Sequence, residues 1–391
     1  MEQTIADEAG TVPLCGKKIA FSIFKYFPYG GLQLDMMRMA LEFRSRGIEV
    51  VIFCMIWDAP EPPDGISYRE LPVKGMSNHR KARNFEKILQ QTLEQENFIS
   101  HVAFNRLAPA DWYFAGDQPF VESVPRSFLE KMMPRYQTFA AMEESIFSPE
   151  SPTRIMCITP AQQAAYQRIY RTDEARMFQL PPGIDRAFSS AVKLREERDR
   201  LRSDLEIGED DFLLIQVSSA FRTKGVDRSI AALAALPENV RAKTRLLIVG
   251  RGKIPIYAQL ADKCGVADRV IFSGARDDVP ELIAAADMML HPARNESAGT
   301  VLLESLACGT PVICSSNCGF APMVKDAGNI VLPGKFRQKL LNRTLMLTLS
   351  TPGKLEELQR EAENYGVHGD FYRRAAAAAD MILESCKNAG V

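Results

Sequence analysis

Two carboxylates and two cations carry the clearest chemical signal in this 391-residue chain. Glu296 and Glu304 are eight positions apart, and Ser297, Ala298, Gly299 and Thr300 place small residues between them. Val301, Leu302, Leu303, Leu306 and Ala307 then follow the period of a buried helix starting at about Gly299, which leaves Glu304 facing outward. A ligand approaching that helix start would meet free backbone N–H groups and the positive end of the dipole. Upstream, the run SSAFRTKG (Ser218 to Gly225) follows a strand-like segment and supplies Arg222 and Lys224. Alone, each glutamate reads as an ordinary solvated residue.

These residues need elements to hold them. Asp287 to Cys314 reads as a β-α-β unit: strand Asp287 to His291, loop, helix Gly299 to Ala307, a Cys-Gly-Thr-Pro turn, and strand Pro311 to Ile313. The preceding series is strand Phe212 to Val217, helix Val226 to Leu236, strand Leu246 to Val249, helix Pro255 to Cys264, strand Val270 to Ser273 and helix Val279 to Ala286. The first half opens in the same way. Strand Lys18 to Phe24 leads through Gly30 and Gly31 to a helix on Met36, Met39, Ala40 and Phe43, and then to strand Val50 to Met55. Gly30 and Gly31 have no side chain to block close approach, although on their own a plain turn explains them better. Strand Arg154 to Thr159, helix Pro160 to Tyr170 and strand Met177 to Leu180 close this half. Pro181 to Phe188 reads as a linker.

The alternation predicts an α/β protein built from two doubly wound parallel sheets. The expected parts are an extension at 1–16, a first domain at 17–182, a second at 183–368, and closing helices at 353–365 and 369–387. A helical segment from Glu122 to Phe147 carries Phe128, Met132, Tyr136, Phe139, Met142 and Ile146 on one stripe, with Pro134 as a break or kink.

Composition excludes several classes. Hydrophobic content is 46%, charged content 25% and net charge −1, so no global field favours nucleic acid. The eight cysteines are scattered. Cys314 and Cys318 have no histidine cluster beside them, which argues for reduced buried thiols over a metal site. The N-terminus begins acidic without a long apolar run, and no stretch reaches the roughly 18 apolar residues of a membrane span. The expectation is a cytoplasmic protein. Neither half carries a Gly-x-Gly-x-x-Gly turn after its first strand, which disfavours a nicotinamide-dependent oxidoreductase.

Taken together, the Glu-x7-Glu spacing and the Lys224-Gly225 turn with its nearby arginine resemble the donor-binding elements of retaining glycosyltransferases of family 4. KYFPYGGLQLD (Lys25 to Asp35), KGMSNHRKARN (Lys74 to Asn84), Phe104-Asn105, DWYFAGD (Asp111 to Asp117) and LPPGI (Leu180 to Ile184) are similar to one subgroup, the lipopolysaccharide core glucosyltransferases. The similarity runs over nearly the whole chain from about residue 18. It implies a GT-B fold, with two Rossmann-like domains facing a central cleft and the closing helices packing back across the first domain. It also implies transfer of glucose from UDP-glucose to an inner-core heptose with retention, without bound metal or cofactor.

By the same resemblance Glu304 holds the ribose, Glu296 orients the sugar, and Ala298, Gly299 and Thr300 face the diphosphate. Lys224 and Arg222 clamp the leaving group. Arg222 stands one position before the relatives' arginine, where this chain has Thr223. Gly250 borders the nucleotide, and Arg276 to Val279 takes the uracil, with a helix cap as the plain alternative. Gly30, Gly31 and Asp35 are candidate donor or acceptor contacts, Asp35 equally explained as a first-turn acid. Asp117 is a candidate sugar-side acid. His101 is disfavoured, because it opens a strand and so lies at the wrong end of it. In the subgroup the 122–147 region is associated with the inner face of the membrane, but here Arg126, Lys131 and Arg135 are offset by Glu122, Glu130, Glu143 and Glu144. An epimerase or hydrolase of UDP-sugars on the same fold is the competing reading, as is another hexose or acceptor.

Overall fold

A computed structural model describes residues 16–28, 30–123, 127–189 and 198–388. The expected N-terminal extension, Gly16 apart, and Arg126 lie outside the described residues. The chain divides into two compact units, Met1–Pro181 with Arg373–Val391, and Pro182–Tyr372.

The first unit is built on strands Lys18–Ser22 (β1), Lys25–Tyr26 (β2), Glu49–Cys54 (β3), Ile56–Trp57 (β4), Ile66–Glu70 (β5), His101–Ala103 (β6), Trp112–Ala115 (β7), Arg154–Cys157 (β8) and Met177–Gln179 (β9). Seven of these form one sheet in the order β5-β3-β1-β6-β7-β8-β9, with β2 and β4 pairing separately. Every pairing in the large sheet is parallel. Parallel strands are covered on both faces and so read as unbroken apolar runs. Trp112, Tyr113, Phe114 and Ala115 are all buried accordingly.

The second unit contains Phe212–Val217 (β10), Thr244–Val249 (β11), Val270–Gly274 (β12), Met288–His291 (β13), Val312–Ser315 (β14) and Ile330–Leu332 (β15). Their order is β12-β11-β10-β13-β14-β15, again parallel throughout. Leu214, Leu246, Ile248, Met288 and Leu290 join one apolar core with Val226, Ile230 and Leu233 of the helix Val226–Ala234. Each sheet reverses direction of growth once, between β1 and β6 and between β10 and β13. The loops leaving those strands open a crevice at the carboxyl edge, where open α/β sheets bind ligands.

Two expectations are corrected. The closing helices do not both return to the first unit. Lys354–His368 belongs to the second unit and packs on the helix Thr300–Ala307, burying Leu358 and Ala362. Only Arg374–Asn388 packs on the first unit, against the helix Gly31–Ser45. Pro134 breaks the 122–147 segment as expected, but the apolar stripe does not share one environment along it. Pro134 starts a new helix, Pro134–Phe147, which buries Met142 and Ile146, because proline suits the first helical position and Met133 before it is extended. Phe128 and Met132 lie on the short helix Phe128–Met132 and remain 77% and 62% exposed.

Candidate active site

Lys224 reaches its position through a tight turn. The helix Phe221–Lys224 ends at Gly225, whose φ is 76°. A side chain there would be strained in that left-handed conformation, and its Cβ would lie 2.4 Å from the Pro292 carbonyl oxygen. The Lys-Gly pair is therefore what lets the loop after β10 lie directly on the loop after β13. Three further contacts fix the two loops together. The Arg294 backbone N–H donates to the Thr223 carbonyl at 2.7 Å, Arg294 Nη1 donates to the Arg222 carbonyl at 2.8 Å, and Arg294 pairs with Asp227 at 2.6 Å. Gln216 Nε2 holds the Lys224 carbonyl at 2.8 Å.

The loop after β13 is held from its other side as well. The Glu296 N–H donates to the Asn317 carbonyl at 3.2 Å, and the Gly319 N–H donates to the Glu296 carbonyl at 3.2 Å. The Phe320 N–H donates to the Ala298 carbonyl at 2.8 Å. Clamped in this way, the Glu296 carboxylate forms an ion pair with Lys224 Nζ and accepts from His291 Nε2 at 3.2 Å. The side chains of Lys224 and Glu296 are only 18% and 15% exposed, so water weakens the pair little. Burial pushes the Glu296 carboxyl up, but the His291 hydrogen bond and the Lys224 charge outweigh it and hold it at about 2. Glu296 is thus a fixed anion over the whole physiological range.

Gly299 is the N-cap of the helix Thr300–Ala307, with φ 78°, and Thr300 is its first residue. Leu302, Leu303 and Leu306 are fully buried, each contributing roughly 1.5–3 kcal/mol. Glu304 lies on the same helix and is half-buried. Arg222 is exposed on the same short helix as Lys224. Gly250 follows β11, with its N–H donating to the Gly274 carbonyl at 2.7 Å. Arg276 is engaged with Asp278, at 2.7 Å from Nε and 2.5 Å from Nη2. Asp278 occupies the N-cap of the helix Val279–Ala285 without a side-chain cap bond, because its carboxylate is turned to Arg276.

In the first unit, Gly30 caps the helix that begins at Gly31, in the loop after β2. A Cβ at Gly31 would meet open space. Asp35 is committed elsewhere: its Oδ2 lies 2.9 Å from Arg374 Nη1, and the two side chains are 12% and 3% exposed. Asp117, in the loop after β7, is 65% exposed, with its carboxylate 3.9 Å from Arg106. His101 sits in the core, its Nε2 2.7 Å from Ser22 Oγ, and burial lowers its pKa to about 4. Sequence reasoning missed His291 and Arg294. A histidine ending a buried apolar strand was the available signal for the first. Nothing local marks the second. Among the described residues, no group of three His, Cys, Asp or Glu side chains is placed to hold a metal ion, and no helix is long and apolar enough to cross a membrane.

The family described as glycosyl transferases group 1 matches residues 197–366. The lipopolysaccharide glucosyltransferase WaaG of Escherichia coli K12 is 38% identical over 369 residues, covering 93% of this chain and 98% of its own. A crystal structure of WaaG, described as a glycosyltransferase involved in lipopolysaccharide biosynthesis, superposes with a TM-score of 0.88 at 37% identity over 93% of this chain and 99% of its own. HepE from Anabaena, solved with UDP and glucose, is 17% identical with a TM-score of 0.70 over 95% of this chain and 100% of its own, a likeness of fold. The chain belongs to this family of GT-B glycosyltransferases.

Proposed function

We propose that the chain transfers glucose from UDP-glucose to an inner-core heptose of lipopolysaccharide, with retention at the anomeric carbon. The observation that carries this reading is the Lys224–Glu296 ion pair at the switch point of the second sheet. It occurs in a chain 38% identical, over nearly its full length, to a lipopolysaccharide glucosyltransferase. HepE, whose fold is similar, was solved with UDP and glucose.

In this reading Lys224 meets the diphosphate as the sugar–phosphate bond breaks. Glu296 already holds its ammonium in place, so little reorganisation is needed at the moment of charge transfer. Arg222 adds a second cation, and the helix starting at Thr300 adds its N-terminal dipole. Glu296 accepts from sugar hydroxyls and Glu304 from the ribose. Gly250 and Arg276 border the nucleotide, Gly30 and Gly31 approach the substrates, and Asp117 acts on the sugar side. The departing phosphate takes the acceptor proton on the same face, so no protein nucleophile and no bound metal are required.

Contact with the inner leaflet belongs to the same proposal. Phe128, Leu129, Met132 and Met133 are 77%, 75%, 62% and 56% exposed, an apolar patch of the kind that marks an interaction surface. Phe128→Asp with Leu129→Asp should abolish cosedimentation with phosphatidylglycerol vesicles, and undiminished pelleting would remove the patch from that role.

The deciding assay is UDP release from UDP-glucose, with and without truncated lipopolysaccharide ending in heptose. Release that requires the acceptor and survives a chelator supports the proposal. Release without acceptor identifies a hydrolase or epimerase. Release only from another UDP-hexose retains the chemistry and rejects glucose.

A further inference from the structure

The loop that carries Glu296 also borders a second recess of the same unit. Arg228, Arg294, Asn317, Lys335, Phe336 and Arg337 line a cavity of about 540 Å³, within the usual range for small-molecule sites. Four of these residues are cations, and no carboxylate lines it. Asp227 neutralises Arg294, whereas Lys335 and Arg337 have no charged side-chain partner among the described residues. Arg228 is held rigidly, its guanidinium 4.6 Å over the Phe336 ring and its Nη1 donating to the Pro292 carbonyl at 3.0 Å. Burial and then the charge of Arg294 push its pKa down, against an opposing pull from Asp227. The helix Gln338–Ser350 starts at this cavity, with Arg337 at its N-cap and no side chain capping it.

We propose that this cavity binds a small soluble anion bearing a phosphomonoester or diphosphate, and that occupancy stiffens the loop holding Glu296. Guanidinium forks match phosphate oxygens two at a time, and a phosphomonoester supplies nearly two negative charges where a carboxylate supplies one. A lipid tail has no footing here. Phe336 is covered by Arg228, and none of the lining side chains is a large exposed apolar group. Coupling follows from the walls. Asn317 Nδ2 donates to the Ala293 carbonyl at 3.2 Å and to the Gly334 carbonyl at 2.8 Å, while the Asn317 carbonyl accepts from the Glu296 N–H. Arg228 holds Pro292, at the start of the same loop. The binding claim stands by itself, and the coupling rests on the donor reading.

The test titrates inorganic pyrophosphate into the full chain by calorimetry, in the presence of saturating UDP, and repeats it with the double variant Lys335→Gln/Arg337→Gln. Neither residue belongs to the proposed catalytic machinery. The expected result is pyrophosphate binding that UDP does not displace and that weakens at least tenfold in the double variant. Complete displacement by UDP, or equal binding by the double variant, overturns the site. Pyrophosphate should also change UDP affinity at least twofold in the wild type alone, and no change there overturns the coupling. If UDP itself does not bind, the donor reading fails, and the wild-type and variant pyrophosphate titrations still decide the cavity.

Discussion

Lys224 and Glu296 make opposite demands on a mutational test, because one is proposed to act on the leaving group and the other on the sugar. Lys224→Ala should lower turnover about 10²–10³-fold, the size of effect seen when one preorganised group is removed from developing charge. The variant should stay folded by circular dichroism, and a turnover within threefold of wild type would remove Lys224 from that role. Thr223→Arg in the same assay probes Arg222, and a large gain would mean that Arg222 does not reach the diphosphate. Acid stability reads Glu296 directly. Its carboxyl is held at about 2 against an ordinary 4.5, so its contribution is complete above pH 4.5 and is lost as pH falls through 2. The amount is on the order of 3 kcal/mol. Glu296→Gln should therefore flatten the unfolding free energy between pH 4.5 and 2 in urea titrations, with little effect on its slope between pH 6.5 and 4.5. That upper window belongs to groups such as His101, lowered from 6.5 to about 4 by burial, which destabilises the fold as the pH drops through that range.

At the scale of the element, the site depends on two loops in backbone contact, and Gly225 is the point of closest approach. Gly225→Ala adds a Cβ 2.4 Å from the Pro292 carbonyl oxygen, whereas Gly353→Ala, at nearly the same φ of 75°, would meet nothing within 4 Å. The expected cost at Gly353 is the left-handed backbone term alone, about 1 kcal/mol, and Gly225 should exceed it by at least that much again. Only Gly225→Ala should also lower turnover, because its strain falls on the loop bearing Glu296. Equal melting temperatures for the two variants would contradict this account. The short helix Phe128–Met132 shows the opposite case. It carries a complete capping box at Ser127 and Glu130, and it buries none of its apolar side chains.

For the whole molecule, the final helix is anchored by charge as well as by packing. Arg374 is 3% exposed and pairs with Asp35, while Arg46 pairs with Asp380, whose side chain is 66% exposed. Removing one member of a buried pair strands the other, so Arg374→Ala should cost roughly 3–5 kcal/mol. Asp380→Ala should cost less than about 1 kcal/mol. Chemical denaturation of the two variants measures the contrast, and similar midpoints would show that Arg374 adds nothing beyond packing.

Much of the architecture was legible in the chain itself. Buried parallel strands must be apolar on both faces, so runs such as Phe212–Val217 and the helix Pro160–Tyr170 stand at the boundaries their patterns indicate. Glu296 and Glu304 were singled out by residue type and spacing and Lys224 by the family resemblance, and the fold places Lys224 against Glu296, 72 positions away in the sequence. Other features were silent in the chain. Helix Asn78–Leu93 and strand Ile66–Glu70 escaped because their exposed faces dilute the apolar period. The carboxylate of Asp35 was a free candidate until the last helix brought Arg374 to it. Arg294 carries no signal beside Glu296, because its role is to grip the carbonyls of a turn some 70 residues earlier. Local pattern decides which faces are buried and where chains turn. Which charges meet is decided only when sequence-distant loops converge at one sheet edge, since ion pairs and backbone contacts depend on distance in space and leave no period in the sequence.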